Sequence, residues 1–175
     1  MNLLRGVGGW ATLLAAAVLA LLSVAWSSSH SGEDAPRSLT LSVREDLELQ
    51  TILDVNAARA GRGLPSLAAE SSLGEIARER STDMAALGYF SHYAPDGSAI
   101  YISLLDQKQI PWLFAGENLA RREFAGDNVA QVTVENWTNS PPHAAHLFSA
   151  SYNRAGIGVV EAGTETYFTL IFVGE

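Results

Sequence analysis

Three side chains have the types and settings that could do chemistry: His92 after Tyr89-Phe90-Ser91, Glu117 between Gly116 and Asn118, and His143 after Ser140-Pro141-Pro142. Imidazole is a borderline metal ligand that titrates near neutrality, and a carboxylate can hold an imidazole N–H or serve as a base. Two imidazoles and one carboxylate converging on a cleft could hold a divalent metal such as zinc, or act as acid and base. Their spacing matches no compact ligand motif of the HExxH kind, so hydrogen-bonded structural roles stand beside the chemical one. His146 follows His143 at a spacing that puts both rings on one side of a helix; packing beside Leu147 and Phe148 is its alternative. Ser91 next to His92 invites a nucleophile reading, but it lacks the G-x-S-x-G elbow, and adjacent residues on an extended chain point apart.

Composition narrows the chemistry further. The chain of 175 residues has no cysteine, which removes disulfides, thiolate nucleophiles and sulfur-ligated zinc. Its formal charge is -8, and no basic stripe with interleaved aromatics occurs, so nucleic acid is not an expected partner. The length suits one globular domain with an appendage.

That appendage is N-terminal. Arg5 precedes an uncharged run, residues 6–26, rich in Leu, Ala and Val and long enough as a helix to span roughly 30 Å of hydrocarbon. Ser23-Val24-Ala25 offers small residues before a possible cut, so residues 1–26 read either as a cleaved signal peptide or as a retained anchor helix. Both readings send the rest of the chain out of the cytoplasm, secreted or membrane-anchored. Residues 27–38, small, polar and containing His30, Gly32 and Pro36, read as a flexible linker, with the domain at 39–175.

Several elements must position the candidate residues. Ser42 and Glu45 have capping-box spacing, and Leu49, Ile52, Leu53 and Ala57 then recur on one helical face up to Gly61. Ser72 and Glu75 repeat that spacing before a helix with Leu73, Ile76, Ala77, Arg80, Met84 and Leu87, closed by Gly88. A short helix is expected over 99–107, and residues 112–119 read as extended, with Gly116 and Asn118 fixing a turn about Glu117. Asp127 can cap a helix through Val129, Val132 and Trp137 that ends at Ser140, where Pro141 suits a new helical start. Residues 156–161 and 166–173 form a β-branched and aromatic hairpin around Gly163. Its second strand is apolar on both faces, so helices should cover the sheet from two sides.

These pieces, in this order, resemble the CAP superfamily of cysteine-rich secretory, antigen-five and pathogenesis-related proteins, in its bacterial cysteine-free form. The resemblance rests on Asn56-Ala57-Ala58-Arg59 as N-x-x-R and Leu64-Pro65-Ser66-Leu67 as the lead-in to the second helix. It continues through Tyr89-Phe90-Ser91-His92 with Pro95-Asp96-Gly97, then Gly116-Glu117-Asn118-Leu119, Trp137 through His143, and Gly156-Ile157-Gly158-Val159. The family implies an α+β fold, a three-layer α-β-α sandwich with a small central antiparallel sheet. It also implies a cleft presenting His92, Glu117 and His143, which binds divalent metal in some members. Ser140 stands where many relatives carry a second cleft Glu, Ala144 where they carry Arg, and His146 where they carry Asn. Asn56, Arg59, Asn118 and Trp137 enter as structural motif residues.

The leading expectation is an extracytoplasmic binding module for a small ligand, an envelope component or a divalent metal, without turnover. It contacts the membrane through its N-terminus if the leader is uncleaved. Two alternatives stay open: a metal-dependent hydrolase or peptidase using Glu117, and a structural envelope protein with a vestigial cleft.

Overall fold

The computed structural model describes residues 40–123, 126 and 128–175. The segment 1–26, the linker 27–38 and the expected cap Asp127 lie outside the described residues. In chain order the elements are β1 (Leu41–Val43), α1 (Glu45–Ala60), β2 (Ala68–Ala69), α2 (Ser71–Leu87), α3 (Ile100–Gln107), β3 (Phe114–Glu123), α4 (Val129–Asn139), α5 (Pro141–Leu147), β4 (Arg154–Ala162) and β5 (Glu165–Gly174). None of these helices is long and apolar enough to cross a membrane.

The last two strands set the architecture. They form an antiparallel hairpin closed by the pair Ala162 and Glu165, with Gly163 at φ 63° taking the left-handed first position of a two-residue turn. β3 pairs antiparallel with the other edge of β5, and β1 lies against the end of β4, giving the order β1-β4-β5-β3. β2 adds a two-residue parallel pairing to the start of β4. Along β5, Phe168, Leu170 and Phe172 meet residues of α1, α4 and α5, while Ile171 and Val173 meet α2 and α3 on the opposite face. The fold is therefore an α+β, α-β-α sandwich, as the doubly apolar strand requires.

The spaced glycines of β4 explain how closely α2 lies on the sheet. A Cβ at Gly156 would stand 2.2 Å from the Gly74 nitrogen, and one at Gly158 would stand 2.1 Å from the Arg78 nitrogen. Only residues without a side chain leave room for the helix backbone there. Beside them Ser81 Oγ donates to Gly158 O at 2.9 Å and shares a 2.8 Å hydrogen bond with Thr169 Oγ1.

Four local expectations are corrected. Ser42 is no cap: it sits in β1 opposite Glu161, and α1 starts after Arg44 without a side-chain cap. Ser72 lies inside α2, its hydroxyl bonded to Glu70, so the Ser72–Glu75 box does not form. Leu49 and Leu53 are 62% and 55% exposed; α1 instead buries Leu47, Thr51, Ile52, Val55 and Arg59, because its inner stripe is partly polar. Gly116, Glu117 and Asn118 lie within β3 and form no turn.

Candidate functional site

β3 is an edge strand, so side chains from both of its faces can reach round its free side. Glu117 pairs with Ile171 and points with it toward α2, whereas Gly116 and Asn118 face α5. Around this edge lies a cavity of about 480 Å³ lined by His92, Tyr93, Ala99, Tyr101, Glu117, Pro142, His143 and His146. The structure thus brings His92, Glu117, His143 and His146 to one cleft. A groove of about 390 Å³ between α1 and α2, with the Glu48–Arg78 pair on its wall, contains none of them.

Glu117 is 3% exposed, and both of its oxygens are engaged. Oε1 accepts from Arg80 Nε at 3.0 Å, and Oε2 meets His92 Nδ1 at 2.8 Å. Arg80 is fully buried; it also donates to Tyr89 Oη at 2.8 Å and to the Ser91 carbonyl at 2.8 Å, and the Tyr89 hydroxyl donates to Asp83. Burial alone would pull the Arg80 guanidinium down, but Glu117 and Tyr89 more than offset this and hold it above its usual range. One arginine on α2 therefore fixes both the carboxylate and the loop that carries His92. Arg80 was legible only as a charge on an otherwise apolar helical stripe, and that mismatch is the signal that could have flagged it.

α5 supplies the opposite wall. Ser140 precedes its first turn and Pro141 opens it, where a missing N–H costs nothing. His143 Nδ1 lies 2.9 Å from Ser140 Oγ, and His146 Nδ1 lies 3.0 Å from Tyr152 Oη. His146 is also stacked near Phe172, and a Cβ at Gly116 would fall 2.6 Å from its Nδ1, so this ring needs the glycine opposite it. Burial, then the neighbouring His92 and His146 rings, pulls His143 below the ordinary histidine value; burial, then His92, does the same for His146. With His92 held by Glu117, all three imidazoles have Nδ1 engaged, leaving Nε2 as the atom each can offer a ligand.

The motif residues hold this wall in place. Arg59, 0% exposed, donates Nη1 to the carbonyls of Leu147 and Ser149 at 2.8 and 3.0 Å, tying off the C-terminal end of α5, and Nε to Pro65 O at 3.0 Å. Asn56 closes two hydrogen bonds on the Leu67 backbone. Asn118 Nδ2 donates to the His143 carbonyl at 3.1 Å. Trp137, buried, donates its indole N–H to Leu119 O at 2.9 Å, occupying an acceptor on the free edge of β3. Glu135 bonds Gln131 and lines a different cavity with Asp54, so it does not replace the absent second cleft carboxylate. Tyr93 and Tyr101 join the cleft through the loop before α3 and α3 itself, which nothing local in the sequence indicated.

The side chains of the cleft are poorly arranged for a divalent metal. Among the described residues no group of three or more His, Cys, Asp or Glu is placed to hold an ion. Each Glu117 oxygen already carries a hydrogen bond, and a cation beside it would meet the buried guanidinium of Arg80. The carboxylate-containing set therefore does not fit a metal as it stands.

The sandwich and its edge-strand cleft define the class. Residues 53–174 match the model of the cysteine-rich secretory protein family, CAP, and the chain belongs to that family. It is 29% identical over 141 residues to the uncharacterized protein YkwD of Bacillus subtilis, covering 81% of this chain and 50% of YkwD. An extracellular Bacillus anthracis protein containing an SCP domain superposes with a TM-score of 0.64 at 27% identity, over 75% of this chain and 41% of that one. An outer surface protein of Borrelia burgdorferi superposes at 0.68 with 16% identity, over 78% and 99%, which shows the fold alone. The chain spans half the length of YkwD and less of the B. anthracis protein.

Proposed function

We propose that this domain is an extracytoplasmic binding module whose cleft takes a small, uncharged polar ligand without turning it over. The observation that carries this reading is the set of three imidazoles around one cavity of about 480 Å³, each anchored through Nδ1 by Glu117, Ser140 or Tyr152. Rings anchored in this way present Nε2 in a fixed direction, and Tyr93 and Tyr101 supply aromatic walls with polar tips. Support for placement outside the cytoplasm comes from the apolar run 6–26 and from the similarity to the extracellular Bacillus anthracis protein. The hydrolase alternative is disfavoured because Glu117 is 3% exposed and its two oxygens face Arg80 and His92, which ties the carboxylate into the wall of the cleft.

Ligand-observed NMR on the full-length chain, with a panel of small hydroxylated and aromatic compounds, tests the reading. Compounds that bind the native chain should lose binding in His143→Ala and Tyr101→Ala. A parallel zinc titration should show no stoichiometric site that depends on His92 and His143. A panel without binders, or binders indifferent to both substitutions, would refute the small-ligand cleft; a zinc site abolished by His92→Ala and His143→Ala would replace it with a metal centre.

A further inference from the structure

The free edge of β3 carries a second cavity beyond the cleft. It measures about 290 Å³, and His143 lines both spaces, standing between them. Its other polar walls are Arg121, Arg122, Asn136 and Ser140, with Phe90 at one side and Leu119 and Trp137 in its floor. No acidic side chain lines it among the described residues, although the chain as a whole carries a formal charge of -8. Two arginines at one cavity in so acidic a protein call for a specific explanation.

The donors of these two arginines are only partly used. Arg122 Nε is buried and has no hydrogen-bond partner, a costly state for a guanidinium donor. Arg121 sits over the Phe90 ring at 5.5 Å; its Nε lies 3.5 Å from Glu165, and the guanidinium also faces the Tyr167 hydroxyl, contacts that leave the rest of its fork for a ligand. The backbone adds another donor. Trp137 reaches Leu119 O, so Leu119 turns its backbone groups away from β5, and the antiparallel alternation turns the Arg121 N–H the same way, toward the free edge. Consecutive residues on a strand point to opposite faces, yet here both arginines line one cavity because it wraps the strand's edge.

We infer that this notch is an oxyanion subsite: it takes the phosphate or carboxylate group of a small ligand between the Arg121 and Arg122 guanidiniums and the Arg121 N–H. Phosphate and carboxylate present the same paired oxygens to a guanidinium fork, and that shared geometry is what two arginines recognise. The notch takes its anion whatever the histidine cleft binds.

Calorimetric titration of the full-length chain with inorganic phosphate at low ionic strength, and with acetate in a separate arm, tests it. The native chain should bind at least one of the two saturably, and which one binds tells phosphoryl from carboxylate ligands. Arg121→Gln and Arg122→Gln should each weaken that binding about tenfold or more, the scale of a lost charge-assisted hydrogen bond. Arg62→Gln, an exposed arginine beside Phe148 and outside the notch, should leave it unchanged. Circular dichroism verifies that the variants fold; Arg121 is the more exposed of the two, and its substitution keeps the test decisive if Arg122→Gln misfolds. The subsite is overturned if the native chain binds neither anion saturably, if binding survives a folded notch variant, or if Arg62→Gln weakens it equally.

Discussion

Replacing Arg80 by Met should be among the most damaging single changes in this domain, and the cost should come from the charge left behind. Glu117 is 3% exposed, and its Oε1 would lose the Arg80 donor, while Ser91 O and Tyr89 Oη would each lose a donor. Breaking a buried ion pair from one side costs about 3–5 kcal/mol, against a total of about 5–15 kcal/mol for a typical domain. With a urea m-value of about 2 kcal/mol per M, the midpoint should fall by roughly 1.5–2.5 M. Urea titration of the full-length chain, followed by tryptophan fluorescence and circular dichroism, measures that shift. Arg80→Met combined with Glu117→Leu should recover part of the loss, since no carboxylate is then stranded. Amide exchange over residues 89–93 should quicken in both variants, because the loop has lost its anchor. A cost below about 1 kcal/mol for Arg80→Met, or a double variant no better than the single one, would refute the view that this pair organises the site.

Two neighbouring glycines on the α2–β4 contact should respond in opposite ways. Gly158→Ala puts a methyl 2.1 Å from the Arg78 nitrogen and 2.2 Å from the Ala77 carbonyl carbon, and since backbone cannot swing aside, it should cost about 1–3 kcal/mol or more in urea unfolding. Gly74→Ala meets only Ile157 O at 3.6 Å inside a helix, and should be neutral or stabilising by up to about 1 kcal/mol. Stability should also depend on pH through the cleft: His143 and His146 sit below the ordinary value of 6.5, so the unfolded chain binds their protons first. Their contribution is complete above that value and falls as pH drops from it toward their folded values. Removing both rings with His143→Gln and His146→Gln should flatten the dependence of the urea midpoint in that window.

Local chemistry made much of this molecule legible in its sequence. The doubly apolar strand β5, the hairpin at Gly163, the helix end at Gly88 and the new start at Pro141 are short-range patterns, and each formed where its residues point. His92, Glu117, His143 and His146 were distinctive because charged and imidazole groups are few near the element ends that carry them. Tertiary structure alone decided what those residues face. β1 pairing pulled Ser42 out of its expected cap, and a buried stripe containing Thr51 and Arg59 turned Leu49 and Leu53 outward, because Arg59 found the end of α5. The placement of β3 at the sheet edge let both its faces share one cleft and brought Arg80, 37 residues away in sequence, beneath Glu117. Strand order and the partners of buried charges depend on contacts between distant segments, and no local pattern encodes them.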